Sequence, residues 1–361
     1  MVDSINYYNF RKLRYIRFTI PFLKSILNLC ISLINIFKIN MISKKMAKDI
    51  DALNFEYVFV HQCKDYVQSP FLIKYLKTKS IFFCAEPTRK IYDKGLFDKL
   101  RTKHKSSNSI FKNFYTLTTK TIDDLCKNFL MKKIKIYDYD NINSSDLVLT
   151  NSYFSKENIL SAYGLDSKVV HLGGDIFKSV KEHKNKKNQI LTVGAINPIK
   201  CIHFLVSAIG NMNLDIRPDF VIVGNAVNKS YLNKIKKLAN DNNVNIIIKI
   251  NISDIDLEKT IRESLIFLYS PYLEPLGLAP LEAMSLGLPV IGVREGGVRE
   301  TIVDGYNGFL VDRNIEIYSN KIKELILDKK KAAAMGVNST VQIKKYWNWD
   351  KAYDRYLKAI K

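Results

Sequence analysis

Glycine is nearly missing from the first half of this chain. Of 15 glycines in 361 residues, only Gly95, Gly164, Gly173 and Gly174 precede residue 187. Backbone that closely approaches a phosphate needs residues without a Cβ, so phosphate chemistry is expected in the second half. Cysteine is sparse as well. Cys30, Cys63, Cys84, Cys126 and Cys201 are scattered, odd in number and form no Cys-x-x-Cys. That excludes a disulfide framework or zinc ribbon and fits a reducing compartment. The five histidines form no ligand-spaced cluster. Neither a Gly-x-Ser-x-Gly elbow nor a Walker-type phosphate loop occurs, which removes two large enzyme classes. Asp138-Tyr-Asp140 and Asp254-Ile-Asp256 are Asp-x-Asp triplets. The triplet is common by chance, and the second stands where acidic residues cap helices. No metal ligands are assigned.

Acidic residues are also in deficit, 35 against 56 Lys and Arg, for a net charge of +21. The excess is concentrated early. Residues 1–187 hold 33 basic and 17 acidic side chains, and the remainder hold 23 and 18. A basic first half suits an anionic membrane leaflet or a phosphate-bearing acceptor, although a chain rich in Lys, Ile and Asn throughout also reaches such a charge by composition. No cleavable signal peptide is evident. Residues 20–37 come nearest to a membrane span, but Lys24, Asn28, Ser32 and Asn35 place a polar stripe along them. The expectation is an amphipathic helix, packed in the fold or lying on a bilayer. Arg11, Lys12, Arg14, Arg17, Lys38, Lys44 and Lys45 flank it and can reach lipid phosphates.

Short apolar runs alternate with helix-like stretches, the pattern of parallel α/β sheets. Strands are predicted at Tyr57–His61, Ser80–Cys84, Leu147–Thr150 and Val169–Leu172. In the second half they are predicted at Gln189–Gly194, Phe220–Gly224, Asn245–Ile248, Leu265–Tyr269 and Pro289–Gly292. A Lys- and His-rich stretch, 181–188, reads as the linker between domains at 1–180 and 189–341, with a Trp-containing terminal helix at 342–361. The second domain reads as doubly wound and Rossmann-like, with ligands at the carboxyl ends of its strands.

The most informative segment is Glu274-Pro-Leu-Gly277-Leu-Ala-Pro-Leu-Glu282, followed by Ala-Met-Ser-Leu-Gly-Leu-Pro-Val-Ile-Gly292. Pro and Gly make a tight turn into a helix N-terminus, where free N–H groups and the helix dipole favour an anion. Glu274 enters the turn, and Glu282 lies about two turns along the helix. One carboxylate can accept from a sugar's hydroxyls and the other from a ribose diol, with a diphosphate at the helix end between them. Lys200, just past the strand 189–194, can bring an ammonium to the same diphosphate.

This string resembles the Glu-x7-Glu signature of retaining GT-B glycosyltransferases of the family 4 type, also called glycosyl transferases group 1. The resemblance covers roughly residues 55–361 and is strongest from about 189 to 311. It implies two Rossmann-like domains facing across a cleft, with the terminal helix crossing back to the first. It further implies that Glu274 and Lys200 are catalytic and that Gly194, Gly277, Leu278, Glu282, Gly296 and Gly297 bind the donor. Cys84-Ala-Glu-Pro-Thr-Arg89 resembles a Cys-His-x-Pro-x-Arg segment of some mannosyltransferase-like members, which makes Arg89 an acceptor-side candidate. Three departures stand out. The family's Arg beside the strand-end Gly is Ala195, the Gly after its Lys is Cys201, and the His of the acceptor motif is Ala85. The family's usual Gly-rich opening loop has no counterpart before residue 95.

The implied activity is metal-independent, retaining transfer of a hexose from a nucleotide diphosphate sugar, a co-substrate, to a glycan or lipid-linked acceptor. No resident cofactor and no nucleic-acid partner are implied. The implied location is the cytoplasm, with peripheral contact to the inner face of the membrane through the basic half. The alternative, motivated by Ala85, Ala195 and the missing opening loop, is a degenerate binding or accessory protein.

Overall fold

The computed structural model describes residues 21–63, 67–93, 110–174, 177 and 186–361. Arg11, Lys12, Arg14, Arg17, Gly95 and most of the 181–188 stretch lie outside them. The chain divides into two compact units, Met1–Thr150 with Lys156–Lys168, and Asn151–Ser155 with Val169–Lys361. The division therefore falls at different residues from those the Lys-rich stretch marks.

The first unit opens with a 31-residue helix, α1 (Pro21–Asp51). There follow β1 (Val58–His61), α2 (Leu72–Tyr75), β2 (Ser80–Phe83), α3 (Arg89–Tyr92), the long α4 (Ile110–Asn143), β3 (Leu147–Thr150), α5 (Tyr153–Tyr163) and β4 (Lys168–Val169). Its sheet has the order β1-β2-β3-β4, with β1 parallel to β2 and β2 to β3. The expected strand Val169–Leu172 is cut short after Val169. Downstream the backbone finds other partners: Gly174 N–H donates to the Trp347 carbonyl, 2.7 Å, and Arg355 donates to the His171 carbonyl.

On α1 the expected polar stripe is turned partly inward, beside buried Ile31 and Ile36. Ser32 and Asn35 are buried, and the helix packs along α4, with Ser25 Oγ donating to Asp123, 3.0 Å. Ile26, Ile34, Phe37 and Met41 are exposed on the opposite face. Their spacing of three, four or multiples of four puts them in one stripe.

Asp138 anchors the first unit from inside. The buried carboxylate accepts from the Ser69 N–H at 2.7 Å, the Tyr163 hydroxyl at 2.7 Å and the Tyr92 hydroxyl at 3.3 Å. Burial, then this carboxylate, pushes both tyrosine pKa values up. Asp140, two residues on, is exposed on another face of α4, so the Asp138-x-Asp140 triplet forms no pair.

The second unit contains β5 (Gln189–Val193), α6 (Ile202–Gly210), β6 (Asp219–Gly224), α7 (Lys229–Asp241), β7 (Ile246–Ile250), α8 (Asp254–Glu263), β8 (Phe267–Tyr269), α9 (Leu278–Ser285), β9 (Val290–Val293), α10 (Val298–Thr301), β10 (Gly308–Val311), α11 (Ile315–Leu327), α12 (Lys329–Lys345) and α13 (Trp349–Ile360). All its strand pairs are parallel, in the order β10-β9-β8-β5-β6-β7. Renumbered within the unit this is 6-5-4-1-2-3, the doubly wound Rossmann order. Chain direction across the sheet reverses between β5 and β8, and the crevice at their carboxyl ends is where such sheets bind ligands. α9 closes at Ser285, and Gly287 takes φ +79° just beyond it. α13 contacts the 171–174 segment of its own unit, with Trp349 packed against Gly173.

Replacing Asp138 by Ala removes the acceptor of three donors, two of them buried. It should lower the stability of the first unit by about 3 kcal/mol, the order expected when a buried hydrogen-bonded carboxylate is removed. Chemical denaturation checks this, and a change below about 1 kcal/mol would refute the anchoring role.

Candidate functional site

The two loops at the switch point carry the two residues expected to be catalytic. After β5 the chain passes Gly194 and Ala195 to Asn197, whose side chain caps a short 3-10 turn, Pro198–Lys200. Asn197 Oδ1 accepts from the N–H groups of Ile199 and Lys200, at 3.1 and 3.2 Å. Asn ahead of Pro is a helix-start signal readable in sequence. Cys201 ends the turn at φ +50°. The family's glycine at this position thus has a backbone reason, which here a cysteine meets in the left-handed region.

After β8 comes Leu273 at φ +45°, then Glu274 and Pro275, then Gly277 at φ +88° as the N-cap of α9. Two left-handed residues four apart make the sharp corner. A left-handed leucine is strained by about 1–2 kcal/mol. No side chain caps α9, so the N–H groups of its first turn have no helical carbonyl to meet. A Cβ on Gly277 would lie 3.1 Å from the Tyr269 ring.

The loops meet through an ion pair. Lys200 Nζ lies 2.9 Å from Glu274 Oε1 and 2.8 Å from Oε2. The side chains are 24% and 20% exposed, so the pair is largely, not wholly, shielded from water. Gly194 borders the lysine: a Cβ there would lie 3.8 Å from Lys200 Cδ and Cε.

A second layer holds these loops. The Tyr272 N–H donates to the Ile199 carbonyl, 2.9 Å, and Ser270 Oγ to the Lys200 and Cys201 carbonyls. Arg313 donates to the Ser270 and Pro271 carbonyls, forks onto Glu295 at 2.8 and 2.7 Å, and lies over the Tyr272 ring. Its bidentate partner more than offsets burial, and its pKa is raised. Arg313 was not foreseen. It lies 39 positions beyond Glu274, with no local pattern to mark it.

The residues expected to contact the donor are brought together only in part. Gly296 and Gly297 pack on the protein itself. A Cβ on Gly296 would lie 2.4 Å from the Glu274 carbonyl oxygen, and one on Gly297 would lie 1.9 Å from that of Pro275. Gly297 N–H donates to the Glu274 carbonyl, 2.8 Å. These glycines therefore set the Glu274 corner by backbone-on-backbone contact. Leu278 opens α9, and Glu282 is half-buried on it. Burial, then the carboxylate of Asp254, raises the Glu282 pKa above the usual glutamate range. Asp256 is a capping residue of α8, exchanging hydrogen bonds with Ser253 at 2.7 and 3.1 Å.

Glu300 stands on α10. It accepts from the Tyr153 and Phe154 N–H groups, at 2.9 and 3.0 Å, and is 2.8 Å from His171 Nε2. His171 Nδ1 is 2.7 Å from the Tyr346 hydroxyl. Burial opposes ionisation of Glu300, but the bonds from His171 and the two backbone groups outweigh it and lower its pKa. In the first unit, Arg89 Nε donates to Glu86, 2.7 Å, and Ala85 N–H donates to Gln62, 3.1 Å.

With the geometry in place, comparison with known proteins is direct. Residues 175–342 match the family described as Glycosyl transferases group 1. The chain is 28% identical over 239 residues to an uncharacterized glycosyltransferase, MJ1178, of Methanocaldococcus jannaschii, covering 66% of this chain and 65% of that one. It is 22% identical over 299 residues to alpha-1,3/1,6-mannosyltransferase ALG2 of Dictyostelium discoideum, covering 76% and 68%. The chain thus spans about two thirds of the length of these curated relatives. Its fold resembles that of Anabaena HepE, in a crystal structure with UDP and glucose, at a TM-score of 0.64, 16% identity, and 88% and 81% coverage. At that identity the likeness is one of fold, the α/β, parallel-sheet GT-B class.

Gly297→Ala forces backbone apart and should lower stability by about 2 kcal/mol, the range for overpacking a filled site. Gly305→Ala, at φ +76° with open space around it, should lower it by only about 1 kcal/mol from strain. Thermal unfolding of both variants checks the order, and equal or reversed effects would contradict the packing role.

Proposed function

We propose, on the premise that residues 175–342 belong to the glycosyl transferases group 1, that this protein transfers a hexose from a nucleotide diphosphate sugar to a glycan or lipid-linked acceptor with retention at the anomeric carbon. The observation that carries the reading is the Lys200–Glu274 pair at the switch point of the second unit. Lys200 offers the charge that a departing diphosphate needs, beside the uncapped start of α9. Glu274, the pair's other member, accepts from the hexose hydroxyls and orients the sugar. The carboxylate holds the ammonium in place; on donor binding the ammonium turns part of its bonding to the phosphates. Glu282 accepts from the ribose diol. The acceptor hydroxyl attacks on the face from which the diphosphate leaves, with no side chain forming a covalent intermediate and no metal taking part. Arg89 serves the acceptor side. Similarity to a mannosyltransferase, and in fold to a structure holding UDP and glucose, supports a nucleotide-sugar donor.

We place the protein in the cytoplasm, in peripheral contact with the membrane. α1 is long and apolar enough to cross a bilayer by length and composition. Its buried polar face packs on α4 while Ile26, Ile34, Phe37 and Met41 face outward, which favours a helix lying on the lipid surface.

A second reading is a binding protein without turnover. The position of the family's second cation is Ala195, and its loss forgoes several kcal/mol of leaving-group stabilisation. Slow hydrolysis of a nucleotide sugar in the absence of acceptor favours the enzyme; binding without hydrolysis or transfer favours the other reading.

Under the enzymatic reading, Lys200→Ala and Glu274→Ala each lower turnover at least ~100-fold, the order seen when one transition-state contact is removed. Near-normal rates in both variants would overturn the roles. Ionised Glu282 accepts from the ribose diol with both oxygens, more strongly than the neutral acid, and burial raises its pKa in the folded protein. Affinity for a nucleoside diphosphate therefore falls as pH drops through that raised value, and Glu282→Gln removes this limb. Calorimetric titration across pH measures it.

A further inference from the structure

The sheet of the second unit has two edges, and only one of them is closed. β10 forms the first edge. The Val311 carbonyl accepts from the Arg294 N–H on the β9 side, so Leu310, its neighbour, turns its own groups outward. There the Leu310 N–H donates to Asp304 Oδ1, 3.0 Å, and the Leu310 carbonyl accepts from Arg294, 2.6 Å. The Gly308 carbonyl accepts from the Gly305 N–H, 2.8 Å. A strand of another molecule finds these groups already taken.

β7 forms the other edge. The Asn245 carbonyl accepts from the Phe220 N–H, 2.9 Å, and the Asn251 N–H donates to the Gly224 carbonyl, 3.0 Å. Both bonds run to β6. Successive residues of a parallel strand face opposite sides, so Asn245, Ile247, Lys249 and Asn251 serve β6, and Ile246, Ile248 and Ile250 turn N–H and C=O outward. Among the described residues none bonds these outward groups. Sheets guard such an edge with lysine, proline, a bulge or a covering loop. β7 has no proline, and its one lysine is turned away: Lys249 Nζ donates to Thr260 Oγ1 on α8, 2.9 Å. Ile246 and Ile248 pack on the core that α7 shares, whereas Ile247 is 36% exposed and Ile250 44%.

The residues along this edge decide which strand it fits. Asn245-Ile-Ile-Ile-Lys-Ile-Asn251 is nearly palindromic about Ile248. Laid antiparallel on a second copy across a two-fold axis, Ile248 meets Ile248, Ile246 meets Ile250 and Asn245 meets Asn251. Opposite residues of an antiparallel pair share a face, so isoleucine packs on isoleucine. The isoleucine pairs also carry the outward groups, and each such pair exchanges two backbone bonds. Only Ile247 meets an unlike residue, Lys249. A two-fold contact requires this kind of self-complementarity.

We propose that β7 is the interface through which two copies of this chain join, the sheets of their second units continuing as one. The inference is independent of the transfer reading.

Sedimentation velocity of the full chain over a range of concentrations tests it. The expected result is a reversible dimer with a Kd on the order of 10 μM. Both copies carry +21, a repulsion that salt screens, so the dimer tightens as salt rises. Hydrogen exchange of the 245–251 segment slows in the dimer, as outward amides gain partners. Ile248→Pro removes the central outward N–H and no bond to β6. Ile250→Lys sets a charge at the exposed edge. Each variant, with its fold checked by thermal unfolding, should weaken the dimer at least ~10-fold. Should Ile248→Pro fail to fold, Ile250→Lys, at an exposed position, decides. A chain that is monomeric at about 100 μM overturns the proposal and leaves this edge to a strand of a different protein. A dimer that salt dissolves, that leaves exchange in the 245–251 segment unchanged, or that survives in the folded variants also overturns it, because another face then holds the copies together.

Discussion

The second unit depends on one close approach. The 296–297 backbone lies so near the 274–275 backbone that no Cβ fits between them, and Gly297 donates into the Glu274 carbonyl. That contact, with the left-handed residues Leu273 and Gly277, sets the corner from which Glu274 reaches Lys200. Without it the carboxylate would ride on a mobile loop, and the start of α9 would have no fixed direction. Arg313 and Tyr272 extend the same constraint to the other loop, tying the carbonyls around Lys200 to the segment before Glu274. The candidate site is thus two loops locked by backbone contacts and one fork of guanidinium bonds.

The first unit follows another logic. Its long helix buries Ser32 and Asn35 together with Ile31 and Ile36, and it exposes Ile26, Ile34, Phe37 and Met41 on the other side. Buried Ser and Asn groups are tolerated where they find hydrogen bonds; Ser32, for example, donates to the Asn28 carbonyl at 2.8 Å. Exposed Phe and Ile side chains are tolerated where something other than water covers them. The same helix then roofs an apolar hollow lined by Ile39, Ser43 and Met46.

Much of the second unit was legible because its signals are local. Apolar runs ending in glycine marked β5, β6 and β9, and the Glu274–Gly292 string marked a corner, a helix and a strand in order. The roles of the glycines were less legible. Gly296 and Gly297 were expected to bind the donor; the structure adds that a neighbouring backbone 22 positions away leaves no room for a Cβ at either. Glu300 satisfies the start of α5 and His171, partners more than a hundred residues away in sequence. Arg89 was expected on the acceptor side; its bond to Glu86, three residues earlier, is local and was overlooked.

The amino-acid sequence by itself determined the alternation of strands and helices, the doubly wound character of the second unit, and the corner and helix that follow Glu274. Each of these rests on periodicity, residue type or short spacing, which a linear chain carries intact. Only the tertiary structure decided which face of α1 meets water, that Asp138 is an internal anchor, that Arg313 braces the site, and that a hollow lies under residues 39–46. Those outcomes depend on contacts between segments tens of residues apart, and such contacts exist only once the sheets have brought their loops to one edge.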